Sequence, residues 1–309
     1  MTETYLDKLK EATKKTGSIV CMGLDPVIEA MPAKFKVKGI GGFPLFLLEV
    51  FEEMQKQNLS PGAFKPNQGF YVCHDKPRLE MFDGSRTLVK VMDIVQEQFP
   101  NVPIVLDSKR GDIAKSSKNY AIESFDCWEA DAVTASPYMG RDSVMPLIEH
   151  AVKKSSGVYL LDRTSNKGAV DLQNLVVETD DPIHGGSARS PLYMKVAEKI
   201  VEWARGNPGV GAVVGATSLD ELTDLARFYA GRNICLLIPG VGSQGGEAGE
   251  TVKILRGSYD LNIVRINSSS GLTHPWASGK DPKPAPNDYA KSCVEAFYKL
   301  NAEINQAAA

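Results

Sequence analysis

The 309-residue sequence has no long hydrophobic run, and none of its apolar stretches reaches the roughly 18 residues that span a bilayer. Residues 1–15 are polar and charged without a signal-peptide core, so they predict a first amphipathic helix. The net charge is only −3, which argues against the strongly basic surface that nucleic acids require. We therefore expect a cytoplasmic protein with no membrane and no nucleic acid among its partners.

Cysteine and histidine are scarce in this chain. The five cysteines are scattered without a Cys-x-x-Cys pair, which is typical of reduced thiols inside a cell. The four histidines are equally dispersed, and no two of them stand at the spacing of metal ligands. The sequence therefore predicts no dedicated His/Cys metal site.

Short apolar runs alternate along the chain with longer stretches of helical periodicity. Eight runs have the character of buried strands: residues 18–24, 62–65, 103–107, 130–135, 157–161, 209–214, 234–238 and 261–266. Helical patterns lie between or after them: residues 43–57, 85–98, 143–153, 192–203, 219–229 and 287–304. Strand–helix alternation gives a parallel sheet, and eight units favour closure, so we predict an α/β fold of the (β/α)8 TIM-barrel type.

One domain is expected over residues 1–309, because barrels of this length are common and no low-complexity linker divides the chain. Two longer connections, near residues 26–42 and 162–190, are polar or glycine-rich. They follow the first and fifth predicted strands, so we expect loop insertions at the carboxyl ends of those strands. Barrel enzymes place their sites at that end.

The charged run at residues 107–112 follows the third predicted strand. Asp107 and Lys109 are two apart, so on a strand they share one face, and Asp112 comes after a flexible Gly111. Lys65 ends the neighbouring strand. A lysine held by carboxylates stays protonated and can act as a general acid toward a carbanion, which suits proton transfer at carbon. Taken alone, Asp107 and Lys109 are equally well interpreted as a structural ion pair.

A glycine-rich loop at residues 239–246 contains a Gly-x-Gly-x-x-Gly match. That match alone is weak, and here it follows the seventh predicted strand without a second dinucleotide-binding half. It fits better the phosphate site of barrels, where backbone N–H groups and a helix N-terminus hold the anion. A flexible turn is the simpler alternative.

Two further strand ends carry polar side chains. Asp25, after the first strand, suits the hydroxyls of a sugar, although aspartates are also common in turns. Ser165, within residues 164–166 after the fifth strand, offers a neutral donor and acceptor for a base or amide edge. Ordinary loop chemistry also accounts for it.

In their order, these motifs resemble those of the orotidine 5'-phosphate decarboxylase family, in its longer branch. The pattern Asp107-x-Lys109-x-x-Asp112, followed by Ile and Ala, carries the resemblance, although a wider superfamily shares it. Four other stretches support it from the first strand to the seventh: residues 23–26, 64–67, 164–166 and 239–246. The resemblance implies cofactor-free and metal-free loss of CO2 from orotidine 5'-phosphate to give uridine 5'-phosphate, the last step of de novo UMP synthesis.

The resemblance also implies roles for particular residues. Lys109 is the implied proton donor to C6 of the pyrimidine, Asp107 faces the departing carboxylate, and Lys65 links the ribose to the acidic groups. Asp112 and Ser116 are implied to reach the partner's site in a homodimer. Other residues are implied to bind the small-molecule nucleotide at its ribose, base or phosphate: Asp25, Ser165, Pro239, Gly240, Gly242, Gln244 and Ser270.

One position departs from the family pattern. Members usually carry an arginine shortly after the eighth strand that pairs with the phosphate, and here we align that arginine with Ser270. Losing a bidentate arginine weakens phosphate binding. Three explanations are open: an engineered Arg-to-Ser change, an altered activity, or another arginine in its place, namely Arg163, Arg189 or Arg265.

Other functions remain possible from the sequence. Sugar-phosphate decarboxylases and hexulose phosphate synthases of the same superfamily need Mg²⁺ and added acidic ligands, and no added acid stands beside Asp107. An aldolase could form a Schiff base on Lys65 or Lys109. A catalytically silent nucleotide-binding barrel is suggested by Ser270 and opposed by the intact residues at 107–112.

Overall fold

The computed structural model describes residues 3–180, 187–242, 246–278 and 281–309. Its strands follow the apolar runs of the sequence. In chain order they are β1 (Val20–Gly23), β2 (Ala63–Lys65), β3 (Val105–Arg110), β4 (Ala132–Ala135), β5 (Gly157–Arg163), β6 (Val176–Asp180), β7 (Ser187–Pro191), β8 (Val210–Val214), β9 (Cys235–Ile238) and β10 (Val264–Ser268). Each of the eight predicted runs contains or overlaps one strand, and β6 and β7 are additional.

Eight of these strands form one parallel sheet in the order β2-β1-β10-β9-β8-β5-β4-β3. Parallel bridges from Phe64 to Ile104 and from Asn67 to Asp107 join the two ends of that order. The sheet therefore closes on itself, and the predicted (β/α)8 barrel is confirmed. All residues of β1, β4 and β8 are buried because one face lines the barrel and the other packs under helices.

Helices follow or precede the strands. In chain order they are α1 (Tyr5–Thr16), α2 (Ala33–Lys36), α3 (Phe43–Lys56), α4 (Gly69–Val72), α5 (Asp83–Gln98), α6 (Ala114–Ile122), α7 (Arg141–Lys153), α8 (Leu192–Ala204), α9 (Leu219–Tyr229), α10 (Ala248–Arg256), α11 (Ser270–Thr273) and α12 (Tyr289–Ala308). The six helical patterns of the sequence match α3, α5, α7, α8, α9 and α12 to within two residues at most ends. In the described residues no helix is long and apolar enough to cross a membrane.

The amino-terminal end of the barrel is closed by α1 and by a buried arginine. Arg265 is fully buried and donates hydrogen bonds to the carbonyl oxygens of Leu9 at 2.7 Å and Gly62 at 2.9 Å. The carbonyls of Val264 and Asn262 accept from the same guanidinium. Its donors are satisfied at this end, which is opposite to the carboxyl ends of the strands.

The two predicted insertions contain local structure of their own. Residues 26–42 form short 3-10 turns around α2, and Phe35 of that helix packs into the core. The segment after β5 includes β6 and β7, which pair antiparallel from Val176–Pro191 to Asp180–Ser187. The sequence did not indicate this pair of strands, and their described side chains, at residues 176–178 and 189–191, are exposed or only partly buried.

Candidate active site

A cavity of about 950 Å³ opens at the carboxyl ends of the barrel strands. That volume lies at the upper end of the range for small-molecule sites. Most of the predicted site residues line it: Asp25, Lys65, Asp107, Lys109, Ser165, Pro239, Gly240 and Ser270. Residues that are far apart in sequence meet here because parallel strands in a closed barrel end on one rim.

Asp107 lies between two lysines at this rim. Its Oδ2 is 2.7 Å from Nζ of Lys65, and its Oδ1 is 2.6 Å from Nζ of Lys109. The side chains of Lys65 and Asp107 are only 6% and 7% exposed, whereas that of Lys109 is 49% exposed. The buried carboxylate is therefore compensated on both oxygens, and the Lys109 ammonium remains open to a ligand.

The charges at this site reinforce one another. Burial alone raises the pKa of the Asp107 carboxyl, but the ammonium groups of Lys65 and Lys109 outweigh it and hold that pKa well below its usual range. Burial alone lowers the pKa of Lys65, but the carboxylates of Asp107 and Asp25 outweigh it and raise that pKa above its usual value. Asp107 is thus ionised and Lys65 protonated at neutral pH.

Lys109 reaches Asp107 through an irregular stretch of β3. Its φ is +48°, in the left-handed region, and the register between β3 and β4 shifts between Leu106 and Arg110. The backbone N–H of Lys109 donates to Oγ1 of Thr134 at 3.0 Å. Regular strand alternation predicted Asp107 and Lys109 on one face; in the structure the two side chains meet because β3 is irregular between Leu106 and Arg110.

Thr134 belongs to the site, although the sequence analysis missed it. Its hydroxyl donates to Oδ1 of Asp107 at 2.8 Å and accepts from the Lys109 backbone. It lies in β4, where a threonine is unremarkable for its strand propensity. Asn267 in β10 was also passed over as a ligand group; it lines the cavity, and its buried Oδ1 has no hydrogen-bond partner among the described residues. A polar side chain in a fully buried strand was the available signal for both.

Asp25 follows β1 and lies on the same rim of the barrel. Its Oδ1 accepts a hydrogen bond from the backbone N–H of Asn67 at 3.2 Å, which ties it to the segment that follows Lys65. Asn67 itself lines the cavity. The carboxylate therefore faces the same space as the lysine pair, where sugar hydroxyls are suitable partners.

Asp112 and Ser116 do not line the cavity within one chain. Oδ1 of Asp112 accepts from the N–H of Ile113 at 2.7 Å, and its carbonyl oxygen accepts from the hydroxyls of Ser117 and Ser143. Of the charged residues that the sequence singled out at the second and third strands, Lys65, Asp107 and Lys109 meet at the rim, with Asp107 between the two lysines. Asp25 lines the same cavity. Asp112 stands apart on the turn after β3.

The described residues of the glycine-rich loop, 239–242 and 246, follow β9. Gly240 and Gly242 have φ of +96° and +79°, which favours glycine at both positions. The N–H of Gly242 donates to the carbonyl of Gly246 at 2.9 Å. Gly240 lines the cavity but Gly242 is not among its lining residues, and Gln244 falls outside the described residues.

Ser270 lines the cavity at the first residue of the short helix α11. None of the three arginines suggested in its place lines the cavity. Arg265 is held at the opposite end of the barrel, so its substitution for the phosphate arginine is ruled out. Arg163 is buried against Glu221, with Nε 2.8 Å from Oε2, and Arg189 lies in β7.

Among the described residues, no group of three or more His, Cys, Asp or Glu side chains is placed to hold a metal ion. The acids that line the cavity are Asp25 and Asp107, and Asp107 is engaged by two lysines. The donor set therefore favours acid–base chemistry with lysine over ligation of a hard cation.

Together, the barrel and its rim of alternating lysines and carboxylates define a (β/α)8-barrel enzyme with its site at the carboxyl ends of the strands. Comparison with known proteins is more specific. The profile of the orotidine 5'-phosphate decarboxylase / HUMPS family matches residues 65–262. The chain belongs to this family.

Relatives extend the similarity beyond that segment. The orotidine 5'-phosphate decarboxylase of Ralstonia pickettii (strain 12J) is 35% identical over 305 residues, covering 98% of both chains. That of Variovorax paradoxus (strain S110) is 36% identical over 294 residues, covering 95% of this chain and 98% of its own. The similarity to relatives of that name therefore extends over nearly the whole chain.

Solved structures agree with the sequence relatives. The structure of Leishmania donovani OMP decarboxylase superposes with a TM-score of 0.69 at 29% identity, covering 97% of this chain and 99% of its own. Leishmania donovani UMP synthase gives a TM-score of 0.72 at 31% identity over 98% of this chain. The chain spans only 57% of the length of that synthase.

Proposed function

We propose that this protein converts orotidine 5'-phosphate to uridine 5'-phosphate and CO2, the final step of de novo UMP synthesis. The observation that carries the proposal is the buried carboxylate of Asp107 between Lys65 and Lys109 in the rim cavity. Membership of the family and full-length similarity to relatives named orotidine 5'-phosphate decarboxylase support it. The proposed reaction uses no metal and no cofactor.

In the proposed mechanism, the C6–carboxylate bond breaks and its electron pair stays on C6. The carboxylate of Asp107, which is ionised and fixed, faces the substrate carboxylate, so repulsion in the ground state is relieved as CO2 leaves. Lys109 then gives an ammonium proton to C6, and its neutral amine regains a proton from solvent. The half-exposed Lys109 side chain supports this role because its ammonium is open to the cavity.

Substrate binding is assigned to the rim around that pair. Asp25 and Lys65 bind the ribose, and Ser165 contacts the base. The phosphate lies near the loop of Pro239, Gly240, Gly242 and Gln244, with Ser270 beside it. A serine gives a neutral hydroxyl in place of a cation, so we expect weaker phosphate binding than an arginine provides.

The proposal includes a homodimer, and the position of Asp112 and Ser116 outside the cavity of their own chain supports it. We assign them to the partner's site. Exposed apolar side chains near this turn support an interface: Ile113, Tyr138 and Met139. The strand ends are adjacent, since the N–H of Ser136 donates to the carbonyl of Arg110 at 2.7 Å. A cytoplasmic location belongs to the same proposal.

The decisive test is the loss of orotidine 5'-phosphate absorbance with EDTA present. The proposal predicts turnover that EDTA leaves unchanged. Inhibition by EDTA would instead favour the Mg²⁺-dependent sugar-phosphate enzymes of the superfamily. Binding of uridine 5'-phosphate without any turnover at high substrate would identify a silent nucleotide-binding barrel, the reading that Ser270 favours.

A further inference from the structure

The backbone around Ser165 is fixed while its hydroxyl is left open. The hydroxyl of Thr164 donates to Oδ1 of Asn166 at 2.6 Å, so the two neighbours of Ser165 are joined across it. The carbonyl of Ser165 accepts from the hydroxyl of Thr217 at 3.2 Å. The Ser165 hydroxyl makes no hydrogen bond to the described part of the chain, and the residue lines the cavity.

The end of β8 packs directly against this serine. A Cβ added to Gly215 would lie 2.8 Å from Cα and 2.9 Å from N of Ser165, closer than real side chains approach. The N–H of Gly215 also donates to the carbonyl of Arg163 at 2.7 Å. The backbone of Ser165 therefore packs closely against Gly215 and cannot shift toward β8.

Gln173 makes two hydrogen bonds to Thr164, the residue before Ser165. Its Oε1 accepts from the backbone N–H of Thr164 at 2.9 Å, and its Nε2 donates to the Thr164 hydroxyl at 2.9 Å. A single side chain thereby fixes both the backbone and the hydroxyl of Thr164. Gln173 does not line the cavity, so these contacts act on Thr164 and not on a ligand.

The buried ion pair of Arg163 and Glu221 also contacts the segment around Thr164. Nη2 of Arg163 donates to Oε1 of Glu221 at 3.2 Å, while Nη1 donates to the carbonyl of Thr164 at 2.5 Å. The Arg163 and Glu221 side chains are only 7% and 14% exposed. Asn174, next to Gln173, donates to the same Oε1 of Glu221 at 2.6 Å. Glu221 therefore connects the end of β5, the first turn of α9 and the segment leading to β6.

We propose that Arg163, Gln173 and Glu221 are positioning residues that hold Ser165 for recognition of the substrate's base. The inference rests on the proposed function and extends it. A serine hydroxyl donates and accepts at once, so it matches the adjacent N–H and C=O of a pyrimidine amide edge only when its backbone is held in place. The three residues lie outside the cavity: Arg163 and Gln173 act on Ser165 through Thr164, and Glu221 acts through Arg163.

The test compares the binding of a nucleotide that carries a base with the binding of a sugar phosphate that lacks one. Uridine 5'-phosphate and ribose 5-phosphate are titrated by calorimetry into the full-length wild type and into the Glu221→Gln and Gln173→Ala variants. We expect Kd for uridine 5'-phosphate to rise up to about tenfold, the value of one hydrogen bond, while Kd for ribose 5-phosphate stays within about twofold. We expect KM for orotidine 5'-phosphate to rise together with Kd for uridine 5'-phosphate.

Matched controls remove similar contacts elsewhere. Asp131→Asn breaks the ion pair with Lys8, and Gln55→Ala removes an amide that donates to the carbonyl of Gln98 at 2.7 Å. Both sites lie outside the rim cavity, so both controls keep the wild-type ratio of the two dissociation constants. Where Glu221→Gln fails to fold because a buried charge loses its partner, Gln173→Ala decides the question.

Equal weakening of both ligands, or an unchanged ratio in folded variants, would overturn the positioning role. A wild type that binds uridine 5'-phosphate no better than ribose 5-phosphate would be a different failure. It would contradict the assignment of Ser165 to the base, which is the premise of the inference, whereas a wild type that does not decarboxylate orotidine 5'-phosphate would contradict the proposed function.

Discussion

Lys109 contacts Asp107 at 2.6 Å from a backbone position in the left-handed region, with φ of +48°. For a residue other than glycine that conformation costs about 1 kcal/mol or more. The hydrogen bond from the Lys109 backbone to Thr134 offsets part of this cost. The strained residue, Lys109, is the one that we propose as proton donor to C6, and the fold holds its side chain beside the carboxylate of Asp107.

Thr134→Val tests whether the hydroxyl supports this geometry. The variant keeps the shape of the side chain but removes the donor to Asp107 and the acceptor for Lys109. We expect kcat to fall roughly tenfold or more, because displaced catalytic groups lose rate steeply. The free energy of unfolding should fall by about 1–3 kcal/mol, since buried polar partners are left unsatisfied.

Thr251→Val is the matched control for that experiment. Thr251 is fully buried in α10, and its hydroxyl donates to the carbonyl of Glu247 at 2.9 Å, outside the cavity. It should lose stability without losing kcat. A Thr134→Val enzyme with wild-type kcat would show that the hydroxyl contributes to folding alone.

Mixing two inactive variants tests the homodimer. In a dimer of Lys109→Ala with Asp112→Ala, one of the two sites receives an intact Lys109 and an intact Asp112. Random reassociation makes half of the dimers mixed, so about a quarter of wild-type activity should return. Lys109→Ala mixed with Lys65→Ala is the control, because both residues line the cavity of their own chain and no intact site forms. Activity as low as in that control would contradict a shared site.

Ser270→Arg tests the phosphate assignment. If Ser270 lies beside the phosphate, a guanidinium there adds a charge-assisted hydrogen bond, and KM should fall by about tenfold at low salt. Ser258→Arg adds the same charge at an exposed position outside the cavity and should leave KM unchanged. An unaltered KM in Ser270→Arg would mean that the phosphate lies elsewhere.

Asp162 predicts a pH dependence of stability. Burial raises the pKa of this carboxyl to about 8, although the hydroxyl of Tyr229 donates to its Oδ2 at 2.7 Å and opposes the shift. The unfolded chain releases that proton near pH 4, and the folded protein keeps it up to about pH 8. Stability contributed by this group is therefore lost as pH rises through that window, with a slope of at most about 1.4 kcal/mol per pH unit.

Asp162→Asn removes the titrating group and keeps an acceptor for Tyr229. Urea unfolding between about pH 5 and pH 8 should show the variant gaining stability relative to the wild type as pH rises. A difference that stays constant across this range would show that Asp162 is ionised in the folded protein throughout.

The barrel was predictable because each buried strand is a short apolar run, and closure follows from eight of them. The pair β6–β7 was not, since its described side chains are exposed or only partly buried and leave no apolar pattern. Arg265 illustrates another limit. It shares a face of β10 with Asn267 by alternation, yet it lies deeper, at the amino-terminal end. Periodicity gives the face of a strand but not the depth along it.

The site was predictable where charged residues end strands, as at Lys65 and Asp107. Thr134 was not predicted, because a threonine is common in strands. Its role becomes visible only in the structure, where its hydroxyl donates to Asp107 on the neighbouring strand. The contact of Glu221 with Arg163 joins residues 58 apart in the chain, and that of Gln173 with Thr164 crosses a loop of irregular structure. No local pattern records such contacts.

The most direct test of the account is the rate of orotidine 5'-phosphate decarboxylation by Lys109→Ala, measured beside the wild type in EDTA. The exposed variant Lys199→Ala, whose only described ion pair is with Glu202, serves as the control. We predict that Lys109→Ala folds normally and loses at least about 100-fold in kcat, the scale of general acid catalysis. Activity within about tenfold of the wild type, a barrier difference of only ~1.4 kcal/mol, would contradict the role of Lys109 as proton donor.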